Sequence, residues 1–150
     1  MEVAFIRRRR ARGGDGRTLA PFVRRLAGLA RSQADEVTVV FTDDHEIARL
    51  NHEYRGHDGA TDVLSFPGET GPDGVVRQGE LVISVEKARS QAAQRHHSLD
   101  TEIRYLLIHG FLHLMGFDHE VDHGEMASEE RRLRRLLLPA SGSAGQAAAS

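Results

Sequence analysis

Apolar positions recur along the chain with two periods, and their alternation predicts the architecture. Residues 3–8 (VAFIRR) read as a short strand, broken by Gly13, Gly14, Asp15 and Gly16. Leu19, Phe22, Val23, Leu26, Leu29 and Ala30 then recur at three and four, the spacing that gives a helix one buried face. With Thr18 as N-cap and Pro21 in the first turn, this helix is expected over about residues 18–32. The β-branched run EVTVVFT at 36–42 reads as a second strand. Thr42 or Asp43 then caps a helix through residue 51, with Ile47 and Leu50 inward. Val63, Leu64 and Phe66 suggest a short strand that stops at Pro67, and GETGPDG reads as a turn region. ELVISV at 80–85 is a further strand, running straight into a helix over about 86–95.

Ser98 or Asp100 opens the longest apolar helix, with Ile103, Leu106, Leu107 and Leu114 on its core side. Gly116 is placed to end it, because glycine takes the left-handed C-cap conformation without steric cost. A last helix is expected over about 122–138, stopped by Pro139. The order β-α-β-α-β-β-α-α-α predicts an α+β fold: a small mixed four-stranded sheet packed with about five helices. One domain is expected over residues 1–138. The small-residue tail at 139–150 (PASGSAGQAAAS) reads as disordered.

Composition narrows the function classes. The chain has no cysteine, which excludes disulfides and thiolate metal sites. No apolar run approaches the roughly 20 residues that span a bilayer, so no membrane association is expected. The arginine run near the N-terminus lacks the apolar segment of a secretory signal, and a cytoplasmic location is expected. The net charge of −2 hides an asymmetry: residues 1–31 hold nine arginines against Glu2 and Asp15, whereas the middle of the chain is strongly acidic. The basic N-terminal region reads either as a polyanion-binding surface or as a solvated face.

The richest chemistry is in HGFLHLMGFDH at 109–119. His109 and His113 lie one helical turn apart on the same face. Gly116 lets the chain fold back, so that His119 can return as a third imidazole. Three neutral imidazoles and a water form a hydrolytic zinc arrangement, in which the metal lowers the pKa of the water towards about 7. One Zn²⁺ per chain, held by His109, His113 and His119 on a central metal-binding helix, is therefore expected. This is the ligand spacing of a metalloprotease helix, but Gly110 stands where such a protease carries its glutamate base. Gly110 serves either close helix–sheet packing or the accommodation of something bulky beside the metal. Asp118 is a candidate for proton transfer or for orienting an imidazole, the second being preferred.

A second cluster, LNHEYRGHDGATDVLSF, sets Arg55 in a Gly- and Asp-rich loop before a strand. A guanidinium can bind a phosphate in bidentate fashion and stabilise charge developing on it. The structural alternative is that Arg55 pairs with Asp58 or Asp62 and holds the loop.

Together, LNHEYRGHDGATDVLSFP, GELVIS and HGFLHLMGFDH resemble the YbeY-like family of single-strand-specific, metal-dependent endoribonucleases, also called rRNA maturation factors. The likeness covers most of residues 36–130, and glycine in the second position of the histidine motif belongs to the family. The resemblance implies a zincin-like fold, zinc ligands at His109, His113 and His119, and a catalytic role for Arg55. It also implies single-stranded RNA as substrate, with action on ribosomal RNA of the ribosomal small subunit and in ribosome quality control. Three positions depart from the pattern: Ala60 stands for Pro, Glu80 for Asp and Phe117 for Tyr. Two readings from other classes stand beside it, a metallopeptidase of zincin type and a non-catalytic assembly factor stabilised by its metal.

Overall fold

The computed structural model describes residues 1–138. Four strands and five helices follow one another as β1 (Glu2–Arg7), α1 (Gly16–Leu29), β2 (Glu36–Thr42), α2 (Asp44–Arg55), β3 (Val63–Pro67), β4 (Arg77–Ser84), α3 (Val85–Gln94), α4 (Leu99–Leu114) and α5 (Glu125–Leu137). The sheet order is β1-β2-β4-β3. β1, β2 and β4 run parallel, and β3 pairs antiparallel with β4 from Val63↔Ile83 to Pro67↔Gly79. The α+β class, the mixed four-stranded sheet and the five helices are as the residue pattern predicts. The expected role of α4 as a metal-binding helix is not carried by the structure, since no metal-holding group of side chains is formed among the described residues.

The two faces of the sheet are covered unequally. Val37, Val39, Phe41, Leu81 and Ile83 face the main core, built with α1, α3, α4 and α5. Val40, Leu64 and Val82 face the other way and meet Ile47 of α2 in a smaller cluster. α4 lies in the middle of the thicker layer, touching α1, α3, α5, β3 and β4. Ile103, Leu107, Ile108, Phe111 and Leu112 of this helix are all fully buried. A helix apolar around most of its circumference is stable only when enclosed, and each such side chain contributes about 1.5–3 kcal/mol on burial.

The first turn of α4 is held by polar groups. Ser98 caps it, its side chain accepting from the Thr101 amide. Glu102, 0% exposed, accepts from Arg95 at 2.9 Å and pairs with His97 Nε2 at 2.6 Å. A buried carboxylate is tolerable when opposite charge and hydrogen bonds satisfy it in this way.

Element boundaries differ from the expected ones at several places, for local reasons. α1 starts at Gly16, because the Asp15 carboxylate accepts from the Arg17 amide; Thr18 instead donates its hydroxyl to the Asp15 carbonyl. α2 continues past residue 51 to Arg55 and stops where Gly56 adopts φ 68°. β4 starts at Arg77 because both neighbouring strands extend its ladder. α5 starts at Glu125, where Asp122 accepts from the amide of Gly124, the N-cap residue, and from that of Met126 in the first turn of the helix. The expected tail at 139–150, and the stop at Pro139, lie outside the described residues.

Because Leu107 is enclosed on all sides, Leu107→Ala should lower unfolding free energy by about 2–5 kcal/mol. Urea denaturation measures this, and a change below about 1 kcal/mol would show that α4 is not the element the core is built around.

Candidate active site at the end of the central helix

The C-terminus of α4 is shaped by a hydrogen-bonded reversal. The Gly116 amide donates to the His113 carbonyl and the Phe117 amide to the Leu112 carbonyl, with Gly116 at φ 98°. These two bonds are those of a Schellman cap, which needs a residue free to take the left-handed conformation. The reversal returns the chain over the end of its own helix. It brings His119 to 6.0 Å from both His109 and His113, measured between ring centroids, and the latter two stand 4.8 Å apart. The three imidazoles expected to meet are thus gathered at one place.

Two of them are oriented by the protein. His109 Nδ1 donates to Glu130 Oε1 at 3.1 Å, and His113 Nδ1 donates to the Phe117 carbonyl at 3.1 Å. Because a carbonyl can only accept, the second bond places the proton of neutral His113 on Nδ1 and leaves a lone pair on Nε2. Burial lowers the pKa of His113 below its ordinary value of 6.5, and the neighbouring His109 lowers it further. Glu130 is held below the usual carboxylate range, chiefly by its hydrogen bond with His109 against the opposing effect of burial. Arg134 closes this arrangement from the far side, 3.1 Å from Glu130 and stacked 4.8 Å from the Tyr105 ring.

This geometry overturns the expected zinc site. Among the described residues, no group of three or more His, Cys, Asp or Glu side chains is placed to hold a metal ion. Neighbouring rings are a weaker condition than ligation, which requires three donor atoms converging on one point about 2.0–2.1 Å from each. One Zn²⁺ per chain on His109, His113 and His119 is therefore not supported, and the residues present do not fit that group.

Arg55, the last residue of α2, is exposed and donates to the Ser65 carbonyl at 2.6 Å. It pairs with neither of the aspartates considered for it. Asp58 lies 3.1 Å from His52, and Asp62 accepts from the Val63 amide. Ser65 in turn donates its hydroxyl to the Gly110 carbonyl at 3.0 Å. Two hydrogen bonds through Ser65 therefore connect the arginine to the helix that carries the imidazoles.

Gly110 itself faces the sheet and leaves no vacancy for a ligand. A Cβ built on it would stand 2.8 Å from Leu81 Cδ2, 3.2 Å from Val63 Cγ2 and 3.3 Å from Ser65 Oγ. Its role is the close packing of α4 on β3 and β4, the plainer of the two expected roles.

Other candidates stand elsewhere. Asp118 accepts from the Glu120 amide and shapes the loop, and no hydrogen bond from it to an imidazole is formed among the described residues. Glu80 lies in a groove of about 540 Å³ with Val40 and Val82, on the face of the sheet opposite α4. Phe117 packs against the main core while its carbonyl holds His113. The residue that sequence reasoning missed is Glu130. It sits in the charged run SEERR, where only its placement one turn before Arg134 distinguishes it from a solvated acid.

Fold and site together define a class: small α+β proteins whose buried central helix ends in a histidine-centred site and is tied, through a strand serine, to an arginine at the end of another helix. The family model described as Endoribonuclease YbeY matches residues 18–137. The chain is 49% identical to Endoribonuclease YbeY of Nautilia profundicola over 107 residues, covering 71% of this chain and 76% of the relative. It is 48% identical to Endoribonuclease YbeY of Solibacter usitatus over 119 residues, 79% of this chain and 77% of that one. Among solved structures, a Thermotoga maritima protein determined in solution superposes with a TM-score of 0.57 at 24% identity, covering 87% of this chain and 85% of that one, which shows a shared fold. The chain belongs to the YbeY endoribonuclease family, and it is an enzyme.

Two outcomes test this geometry. A histidine with a lowered folded pKa binds fewer protons than in the unfolded chain just below 6.5, so its contribution to stability falls as pH drops from 6.5 through the folded value. His113 should therefore titrate below 6.5 by NMR, and His113→Gln should flatten the acid side of the stability profile; titration at or above 6.5 contradicts the arrangement. Gly110→Ala gains about 1 kcal/mol of helix propensity but must displace enclosed neighbours, at about 1–3 kcal/mol. A net loss of stability in urea denaturation is expected, and a stabilised variant would show that α4 and the sheet are not in close contact there.

Proposed function

We propose that the chain, as one domain over residues 1–138, is a single-strand-specific endoribonuclease that matures small-subunit ribosomal RNA and serves ribosome quality control in the cytoplasm. The observation that carries the reading is the gathering of His109, His113 and His119 at the end of α4, with Arg55 tied to the same helix through Ser65. The family match points the same way. No described helix is long and apolar enough to cross a membrane.

The substrate is an RNA strand whose phosphodiester lies between the imidazoles and the loop before β3. Arg55 supplies a permanent positive charge against the developing negative charge of the phosphoryl group, where a fixed cation is worth most in the transition state. His113, neutral with a lone pair on Nε2, is suited to accept the proton of the attacking water or 2′-hydroxyl as the new P–O bond forms, and to return it to the leaving oxygen as the scissile P–O bond breaks. Glu130 keeps the His109 ring in one orientation, with its Nε2 edge turned away from the carboxylate. No step is assigned to a metal, since the residues present do not fit one.

The peptidase reading loses ground because position 110 carries no carboxylate, and because Glu130, the carboxylate at the imidazoles, is already committed to His109 and Arg134. The reading as a purely structural assembly factor predicts that Arg55 is dispensable.

Arg55→Ala should remain folded, apart from losing its bond to Ser65, and should cut single-stranded RNA about 10²–10³-fold more slowly than wild type. Arg55→Lys, which retains charge but loses the planar fork, should recover part of that rate. The measurement is cleavage of labelled single-stranded RNA beside peptide substrates, with circular dichroism to check folding. Wild-type cleavage by Arg55→Ala would remove its assigned role, and peptide cleavage without RNA cleavage would overturn the endoribonuclease reading.

A further inference from the structure

The imidazole site lies at one end of α4, and the N-terminal arginines meet the fold at the other. Several of these arginines are structural: Arg7 donates to the Gly13 and Gly14 carbonyls, Arg24 to the Met1 carbonyl and Arg25 to the Leu136 carbonyl, while Arg8 is paired with Glu46. The segment Arg9–Arg12 is different. It runs over the carboxyl ends of β2 and β4 and there closes a crevice of about 260 Å³.

The topology makes that place distinctive. β1, β2 and β4 are parallel, so their carboxyl ends lie at one edge of the sheet. From β2 the chain leaves as α2 onto one face, and from β4 it leaves as α3 onto the other. Where neighbouring parallel strands send their connections to opposite faces, a cleft opens that helices do not fill, and ligands of such sheets bind there. Thr42 and Asp43 at the end of β2, and Val85 and Glu86 at the end of β4, form its walls.

The lining chemistry selects for an anion. Four arginines, Arg9, Arg10, Arg12 and Arg89, line it beside two acids, Asp43 and Glu86. Both carboxylates are already engaged: Asp43 caps α2 and pairs with Arg9 at 3.3 Å, and Glu86 accepts from the Asp44 amide at 2.7 Å. Arg89 donates to the Arg12 carbonyl at 2.9 Å, which fixes the loop. Arg10 and Arg12 are exposed and have no ion-pair partner among the described residues. Arg9 and Arg10 hold φ values of 57° and 59°, a conformation that side chains resist, at two successive positions. Held this way, the segment leaves the line of β1 and places Arg10 and Arg12 in the wall of the crevice.

The distance to the imidazoles suits a chain-like ligand. Gly13, which follows Arg12, packs against Val85 and against Leu99 at the start of α4. From Leu99 the helix rises roughly 15 Å to His109 and about 21 Å to His113. We propose that this crevice binds a backbone phosphate of the same single-stranded RNA that is cut at the imidazole site, so that the strand is held at two separated points. The proposal rests on the endoribonuclease reading for the identity of its ligand. It goes further in assigning a second, non-catalytic phosphate site to Arg10 and Arg12.

The test compares wild type with Arg10→Ala/Arg12→Ala and with a charge-matched control, Arg131→Ala/Arg135→Ala, whose arginines are exposed and outside the crevice. Binding of labelled single-stranded RNA is measured across a salt series, with oligonucleotides too short and long enough to span both sites. For the long RNA, the crevice variant should bind about tenfold more weakly, and its log K against log salt slope should be shallower by about 0.7 for each phosphate no longer neutralised. Binding and cleavage of the short RNA should be unchanged, and the control should behave as wild type. Long-RNA binding like wild type in the crevice variant, or an equal weakening in the control, would overturn the proposal. Absence of RNA cleavage by wild type would sink the endoribonuclease reading instead, and the binding series would still decide the crevice by itself.

Discussion

Everything at the candidate site depends on the close seating of α4 against β3 and β4. That seating is possible because position 110 has no side chain, so Leu81, Val63 and Ser65 can approach the helix backbone directly. Ser65 Oγ donates to the Gly110 carbonyl across the junction. Such a bond, made where water is excluded, ties the strand to the helix, and leaving either partner unmet there would be costly. The same strand residue offers its carbonyl to Arg55. One helix–strand junction thus sets the position of the imidazoles and of the arginine together.

The site itself is made of polar groups that the fold satisfies one by one. His113 is turned by the backbone carbonyl that the Schellman reversal brings back, and His109 by a carboxylate from α5. Each bond fixes a ring orientation and a proton position. What the packing does not produce is a convergence of three donor atoms, and three neighbouring imidazoles are therefore not by themselves a zinc site. A neutral imidazole, an imidazole held by an anionic partner and an exposed guanidinium occupy the two sides of the β3–α4 junction.

Much of this was legible in the order of residues. β2 runs over the predicted residues, Ser98 caps α4 and Gly116 ends it, because strand periodicity, caps and left-handed turns are written in a few consecutive side chains. Two of the boundaries that differed were set by carboxylates that accept from backbone amides: Asp15 from Arg17 at the start of α1, and Asp122 from Met126 at the start of α5. The departures of Glu80 and Phe117 from the family pattern were also readable, but not their consequence. Glu80 lies across the sheet from the imidazoles, and Phe117 acts through its carbonyl, which any residue would supply.

By itself, the sequence determined the class of fold, the helical face shared by His109 and His113, and the reversal that returns His119 to them. These follow from spacings of a few residues and from the conformational freedom of one glycine. Tertiary structure alone decided that Glu130 holds His109, that Gly110 is filled by its neighbours, and that Arg55 bonds to Ser65 instead of Asp58 or Asp62. Those partners are separated by ten to forty-seven residues along the chain. Their meeting depends on which faces the sheet and helices bury against one another, and no local pattern records that choice.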